Sequence, residues 1–307
     1  MAMITAENVT KRFGNNNALD GLSINVEKGS VYGLVGPNGA GKTTFIKVLM
    51  GVWRADSGSV MLDGEKIYEN ENAKRKIVYV SDDLFFYPAY TVAQTAKMYS
   101  EIYPNWDDAL FKKLGEIFKI DLSRKVIRLS KGMQKQVAFW IGISCRPEVL
   151  ILDEPIDGLD PVMRRNTWRL ILSEVAERGM TVLISSHNLR ELEDVCDHVG
   201  IVFKGKTVIE KSLDDVKGNI HKIQLAYNLS DGEYEKQLEK ISQELEILHT
   251  SRIGSVSCLI IKGDTEKVKE TIYATSPAIF DIITLTLEDV FIYELGGMGY
   301  EFENILI

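Results

Sequence analysis

The stretch Leu34–Thr44 reads LVGPNGAGKTT; it follows an apolar run, Val31–Val35, and precedes FIKVLMG. Residues 36–43, GPNGAGKT, fill the pattern G-x-x-x-x-G-K-[ST] in full. Each residue type has a physical reason. Gly36, Gly39 and Gly41 permit tight turns and close backbone approach where a Cβ would intrude. With Pro37, Asn38 and Ala40 between them, the loop amides converge as a nest for phosphate oxygens. A helix is predicted from about Gly41, and its N-terminal amides and dipole favour the same anion. Lys42 supplies a point charge for the β- and γ-phosphates, Thr43 a hydroxyl for Mg²⁺, and Thr44 closes the loop. Apolar spacing at Phe45, Ile46, Leu49 and Met50 completes the strand–loop–helix context. The alternative, a chance glycine turn with a surface lysine, does not account for that context.

Two further apolar runs end in polar chemistry. EVLILDEP, residues 148–155, reads as a buried parallel strand with Asp153 and Glu154 at its C-terminal edge, where ligands of open α/β sheets sit. Asp153 suits Mg²⁺, and Glu154 suits an attacking water. Taken alone, the run is equally a strand followed by an acidic helix cap. TVLISSHNLRELEDVCD, residues 181–197, reads as a second such strand, then His187, then an amphipathic helix. A neutral His187 imidazole there would reach a γ-phosphate or a water; a satisfied structural histidine is the plainer reading. IRLSKGMQKQVAFWIGISCRP, residues 127–147, predicts a helix from about Gly132 to Cys145, capped by Ser130 and ended by Pro147.

These motifs resemble, in order, those of ABC transporter ATP-binding subunits: the phosphate loop at 36–43, LSKGM at 129–133, LILDEPIDGLDP at 150–161 and SSH at 185–187. The likeness spans about residues 3–217. It implies an α/β fold, a P-loop NTPase ABC cassette with an antiparallel β subdomain and a helical subdomain at about 84–145. It also implies an ATPase using ATP and Mg²⁺ on the cytoplasmic face of the cell membrane. Membrane-spanning permease subunits and a second cassette, as homodimer or heterodimer, are the implied partners, and the tail favours export. Carried onto this sequence, Phe13 stacks on adenine, Asp153 serves Mg²⁺, Glu154 and His187 are catalytic with Lys42, and Ser130 and Gly132 contact the γ-phosphate bound to the opposite subunit. The strand IVYVSDDLFFYP puts Asp82 where the family has a glutamine near metal and water, with Asp83 or a solvated turn as the alternative. Lys131, Met133 and Ile156 also depart from the family pattern, and Lys131 questions backbone geometry at the γ-phosphate.

Composition agrees with a globular chain. Its 307 residues are 45% hydrophobic, and 36 basic against 44 acidic side chains leave a charge of −8, which argues against nucleic-acid binding. Three dispersed cysteines, Cys145, Cys196 and Cys258, read as buried thiols of a reducing compartment. No secretory h-region and no bilayer-length apolar run is expected. ENENAKRK, residues 69–76, reads as a solvated charged face. LFFYPAY, residues 84–90, is either core or an exposed aromatic patch for a membrane partner. The expected domains are 1–218, ATP-binding, and 219–307, an accessory α+β module whose β-α-β-β-α-β pattern is ferredoxin-like. A short helix is expected at Thr286–Gly297. Two rival classes fit worse. Translation ATPases of this type carry two cassettes in one chain, and DNA-repair ATPases carry long coiled coils between the motifs. A nucleotide-gated subunit of poor turnover is a third class.

Overall fold

The structure, a computed structural model, describes residues 1–155, 158–213, 215, 220–227 and 231–296. Ile156 and Asp157 of the IDGLD loop, the 218/219 domain boundary and Gly297 lie outside these described residues. The chain divides into two compact units, Met1–Glu210 and Lys211–Ile307.

A six-stranded sheet is formed by β3 (Val31–Val35), β6 (Ile77–Val80), β7 (Val149–Asp153), β8 (Thr181–Ser186), β9 (His198–Phe203) and β10 (Lys206–Ser212), in the order β10-β9-β3-β8-β7-β6, all but the last two residues of β10 in the first unit. The neighbours from β9 to β6 run parallel. Every residue of β3, β7 and β8 is buried, as parallel strands covered on both faces require. Parallel register brings Val35 beside Ser186 and Asp153 beside Ser185, so the chemistry after each strand gathers at one edge. Helix α1 (Lys42–Leu49) follows β3 directly and buries Phe45, Ile46, Val48 and Leu49. An antiparallel sheet of order β2-β1-β4-β5 lies beside it in the chain, formed by β1 (Ala2–Phe13), β2 (Asn16–Glu27), β4 (Ser57–Leu62) and β5 (Glu65–Lys66). Met3, Ile4, Leu19 and Leu62 from this sheet join Phe45, Leu49, Ile151 and Leu183 in one core.

Residues 69–76 are not simply a solvated face. Asn70 caps α2 (Glu71–Arg75) by accepting from the Ala73 amide at 3.1 Å, and Ala73 is buried. The helical region begins later than about 84. Residues 84–90 form no helix; Pro88 disfavours helical geometry at Tyr87, and α3 (Val92–Ile102) starts from a Thr91–Gln94 capping box. Helix α4 (Asp108–Phe118) is capped by Asp107. Helix α5 (Lys131–Ser144) is capped by Ser130, whose hydroxyl accepts from the Met133 amide at 3.3 Å. Trp140 of α5, 2% exposed, stacks on Phe111 of α4 with centroids 4.5 Å apart and donates its indole N–H to the Phe111 carbonyl at 2.7 Å. Helix α6 (Pro161–Arg178) opens on Asp160 with Pro161 in its first turn and closes on left-handed Gly179. Helix α7 (Leu189–Glu193) is shorter than the amphipathic pattern implied, because the chain turns at Cys196–Asp197 into β9.

The second unit contains β11 (Ile220–Ala226), α8 (Asp231–Glu244), β12 (Glu246–Ile253), β13 (Val256–Lys262), α9 (Thr265–Ala274), β14 (Ile279–Ile283) and α10 (Leu287–Gly296). Its antiparallel sheet has the order β12-β13-β11-β14. Alternate residues Ile223, Leu225, Leu259 and Ile261 meet Ile241 of α8 and Val268 and Ile272 of α9 in a separate core. Cys145 is buried, whereas Cys196 and Cys258 are half-buried; all three are free thiols. Among the described residues no helix is long and apolar enough to cross a membrane.

Candidate functional site

The loop between β3 and α1 is shaped by its glycines. A Cβ at Gly36 would collide with the Val202 carbonyl, and one at Gly41 (φ 111°) would lie 2.6 Å from the Ala18 carbonyl. The loop is braced by a neighbouring turn: the Gly205 amide donates to the Ala40 carbonyl at 2.9 Å, and the Asp20 amide donates to the Gly205 carbonyl at 2.9 Å. Lys42 is buried, and its ammonium donates to the carbonyls of Gly36 at 2.5 Å and Pro37 at 3.4 Å. Burial lowers the Lys42 pKa, opposed by the charges of Glu154 and Asp153.

Asp153, at the end of β7, is 4% exposed and held from three sides. Thr43 Oγ1 donates to its Oδ1 at 3.4 Å, Ser185 donates to the same oxygen, and Tyr79 donates to Oδ2 at 3.2 Å. Burial, reinforced by the Asp153 charge, raises the Tyr79 pKa, so its hydroxyl stays a donor. Glu154 adopts a left-handed backbone, φ 46°, uncommon for a residue with a side chain. Its amide donates to the Ser185 carbonyl at 3.0 Å. Its Oε2 lies 2.9 Å from His187 Nδ1 and 3.4 Å from the His187 amide.

A cleft of about 620 Å³ opens over this edge, lined by Pro37 through Thr44, Asp82, Asp153, Glu154, Asn16, Asn17, Ala18 and the Lys204–Gly205 turn. The structure thus brings the phosphate loop, Asp153, Glu154 and Asp82 to one cavity, with His187 joined through Glu154. Asp82 lies two positions beyond β6 and pairs with Lys135 at 3.5 Å. Phe13 does not line the cleft; it lies at the end of β1, 44% exposed and edge-on to Trp53 with centroids 4.9 Å apart. Ser130 and Gly132 stand at the N-terminus of α5, away from the cleft wall. Lys131 occupies the first helical position without a left-handed φ, so the helix accepts this departure without strain. Phe85 and Tyr87 are 77% and 50% exposed, which favours the exposed-patch reading of residues 84–90 over the core reading.

Sequence reasoning left out Tyr79, Lys135 and the Lys204–Gly205 turn. Tyr79 carried a weak signal, a polar tip in an otherwise aliphatic strand; the other two gave none. The donor set suits Mg²⁺. Thr43 Oγ1 and Asp153 are hard oxygen donors side by side, as that ion takes when phosphates complete its shell. Among the described residues no three His, Cys, Asp or Glu side chains form a self-sufficient cage.

The profile of the ABC transporter family matches residues 19–157. The ABC transporter ATP-binding protein YtrB of Bacillus subtilis (strain 168) is 32% identical over 295 residues, covering 96% of this chain and 99% of that one. The chain belongs to the ABC transporter ATP-binding proteins. The bacitracin transport ATP-binding protein BcrA of Bacillus licheniformis is 31% identical over 312 residues, 96% of this chain and 98% of that one. The solved structure of an ATP-binding subunit of an ABC transporter matches with a TM-score of 0.66 at 25% identity, over 70% of this chain and 92% of its own. As an ABC transporter subunit the chain is an ATPase that binds ATP.

Proposed function

We propose that the chain hydrolyses ATP to drive export through separate membrane-spanning partners, on the cytoplasmic face of the membrane and in a pair with a second cassette. The observation that carries this reading is the meeting of the Gly36–Thr44 loop, Asp153 and Glu154 in one cleft at the C-terminal strand edge. Residues 1–218 form the working cassette, and 219–307 the accessory module.

In this reading Lys42 and the loop amides grip the β- and γ-phosphates, and Phe13, at the end of β1 in the β1–β2 hairpin, meets the adenine. Thr43 and Asp153, with Asp82 nearby, hold Mg²⁺, which when bound draws charge from the phosphate oxygens. Glu154 orients a water towards the γ-phosphorus and accepts its proton; the bond to the β-phosphate oxygen breaks, releasing ADP and phosphate. His187, 2.9 Å from Glu154, senses or bridges the γ-phosphate. Ser130 and Gly132 do not line the cleft of their own chain, and their place at a capped helix N-terminus suits a phosphate bound to the opposite cassette. ATP is then a ligand of the closed pair, and its cleavage removes the preference for closure. Export draws support from BcrA, named for bacitracin transport. The exposed Phe85 and Tyr87 suit a permease contact.

The test is to purify the full chain with the membrane proteins it carries from native membranes, then add saturating non-cleavable ATP analogue and Mg²⁺. Two cassettes closed on two nucleotides, in complex with a membrane-spanning chain, are expected. A complex in which no nucleotide is shared between two chains would overturn the reading.

A further inference from the structure

The buried ammonium of Lys135 plays no part in the roles above. Lys135 lies in the second turn of α5, its side chain 6% exposed. Its Nζ donates to the main-chain carbonyl of Glu154 at 2.8 Å and pairs with Asp82 Oδ1 at 3.5 Å. One side chain therefore joins three segments: α5, the turn after β7 and the segment after β6.

The contact falls on a backbone that needs support. Glu154 holds a left-handed φ of 46°, and such a conformation in a residue with a Cβ persists only where neighbours fix it. Its amide is fixed by the Ser185 carbonyl and its carboxylate by His187. Lys135 supplies the remaining anchor, on the carbonyl. Three residues earlier on α5, a Cβ at Gly132 would lie 2.6 Å from the Gly158 carbonyl, so the helix meets the loop beyond Glu154 at a second point. An ammonium in this place also needs counter-charge, and among the described residues Asp82 contributes to it.

We propose that Lys135 is a positioning residue for hydrolysis: its ammonium, balanced by Asp82, holds the main chain of Glu154 in the turn that aims the carboxylate at the water. Asp82 then acts through Lys135 as well as beside the metal site. The inference rests on the role of Glu154 in the reading above.

The experiment compares full-length wild type with Lys135→Met, which keeps the aliphatic stem and loses the donor, and with Lys135→Arg, which keeps donors and charge. ATP affinity, KM and kcat are measured for each, with the unfolding midpoint as a check on folding. Lys135→Met is expected to lose about ten- to a hundredfold in kcat, the scale of a slightly misaimed group. KM and ATP affinity should stay within about twofold, and Lys135→Arg should recover most of kcat. If Lys135→Met does not fold, Lys135→Gln is read by the same criteria. A kcat within about twofold of wild type, or a loss of ATP affinity as large as that of kcat, overturns the inference. Glu154→Gln run in parallel separates the two levels. If it hydrolyses like wild type, the functional reading falls and this inference with it. If it is inactive while Lys135→Met is fully active, only this inference falls.

Discussion

Replacing Glu154 by glutamine isolates one function of one atom pair. The amide has the size of the carboxylate and still offers a hydrogen-bonding group to His187 Nδ1, now 2.9 Å from Oε2. The left-handed backbone and its bond to the Ser185 carbonyl do not depend on the side-chain charge. Shape, nucleotide grip and pairing of cassettes should therefore survive. On the role proposed for Glu154, what is lost is proton acceptance from the attacking water, a contribution of about 10²–10⁴-fold, or about 3–5 kcal/mol of barrier. One negative charge also leaves the neighbourhood of Lys42, whose ammonium Glu154 helps to keep protonated, and of the incoming phosphates. ATP should then bind as tightly as before or more so. Single-turnover phosphate release reads the first effect, and retention of ATP by the paired cassettes through gel filtration reads the second. Release within about threefold of wild type would remove Glu154 as the base. Loss of ATP retention together with hydrolysis would mean that the carboxylate is structural.

Two further outcomes concern the scaffold. Trp140→Ala removes the 2%-exposed indole stacked on Phe111 and its bond to the Phe111 carbonyl, and should cost about 3–5 kcal/mol in denaturant unfolding; less than about 1 kcal/mol would refute the packing account. The Asp107 cap should make stability pH-dependent. The Leu110 amide, then Arg146, hold its carboxyl below the usual value, so its stabilisation is present above the unfolded pKa of about 4 and fades as pH falls through the folded value. Asp107→Ala should thus cost about 1 kcal/mol at pH 7 and progressively less below about pH 4, and a pH-independent difference would contradict this.

The parts legible in the sequence are those in which one segment carries both element and chemistry. Val31–Thr44 announces a buried strand and the loop that ends it, and Val149–Glu154 does the same for the two acids, because a fully apolar run fixes the strand and its last residues fix the edge. Ser130 was readable as a cap because capping is local. Contacts made by folding were not readable. Nothing near Lys135 in the chain points to the carbonyl of Glu154, and Tyr79 meets Asp153 only because β6 and β7 pair in register. The aromatics of residues 84–90 carried two opposite meanings in sequence, and only their exposure separates them. In 69–76 the charges concealed a single buried alanine, enough to turn an apparent surface strip into a capped helix.

The turn at Lys204–Gly205 borders the cleft, bonds the main chain of the phosphate loop at Ala40, and is itself gripped by β2. A cradle clamped by main-chain bonds has little slack to give up when the triphosphate arrives. The disorder lost on binding should therefore be small in this loop, and the mechanical response must be handed to whatever meets the other side of the nucleotide. On the function proposed above, the power stroke would then be a relative movement of stiff bodies, with the cradle serving as anvil rather than spring.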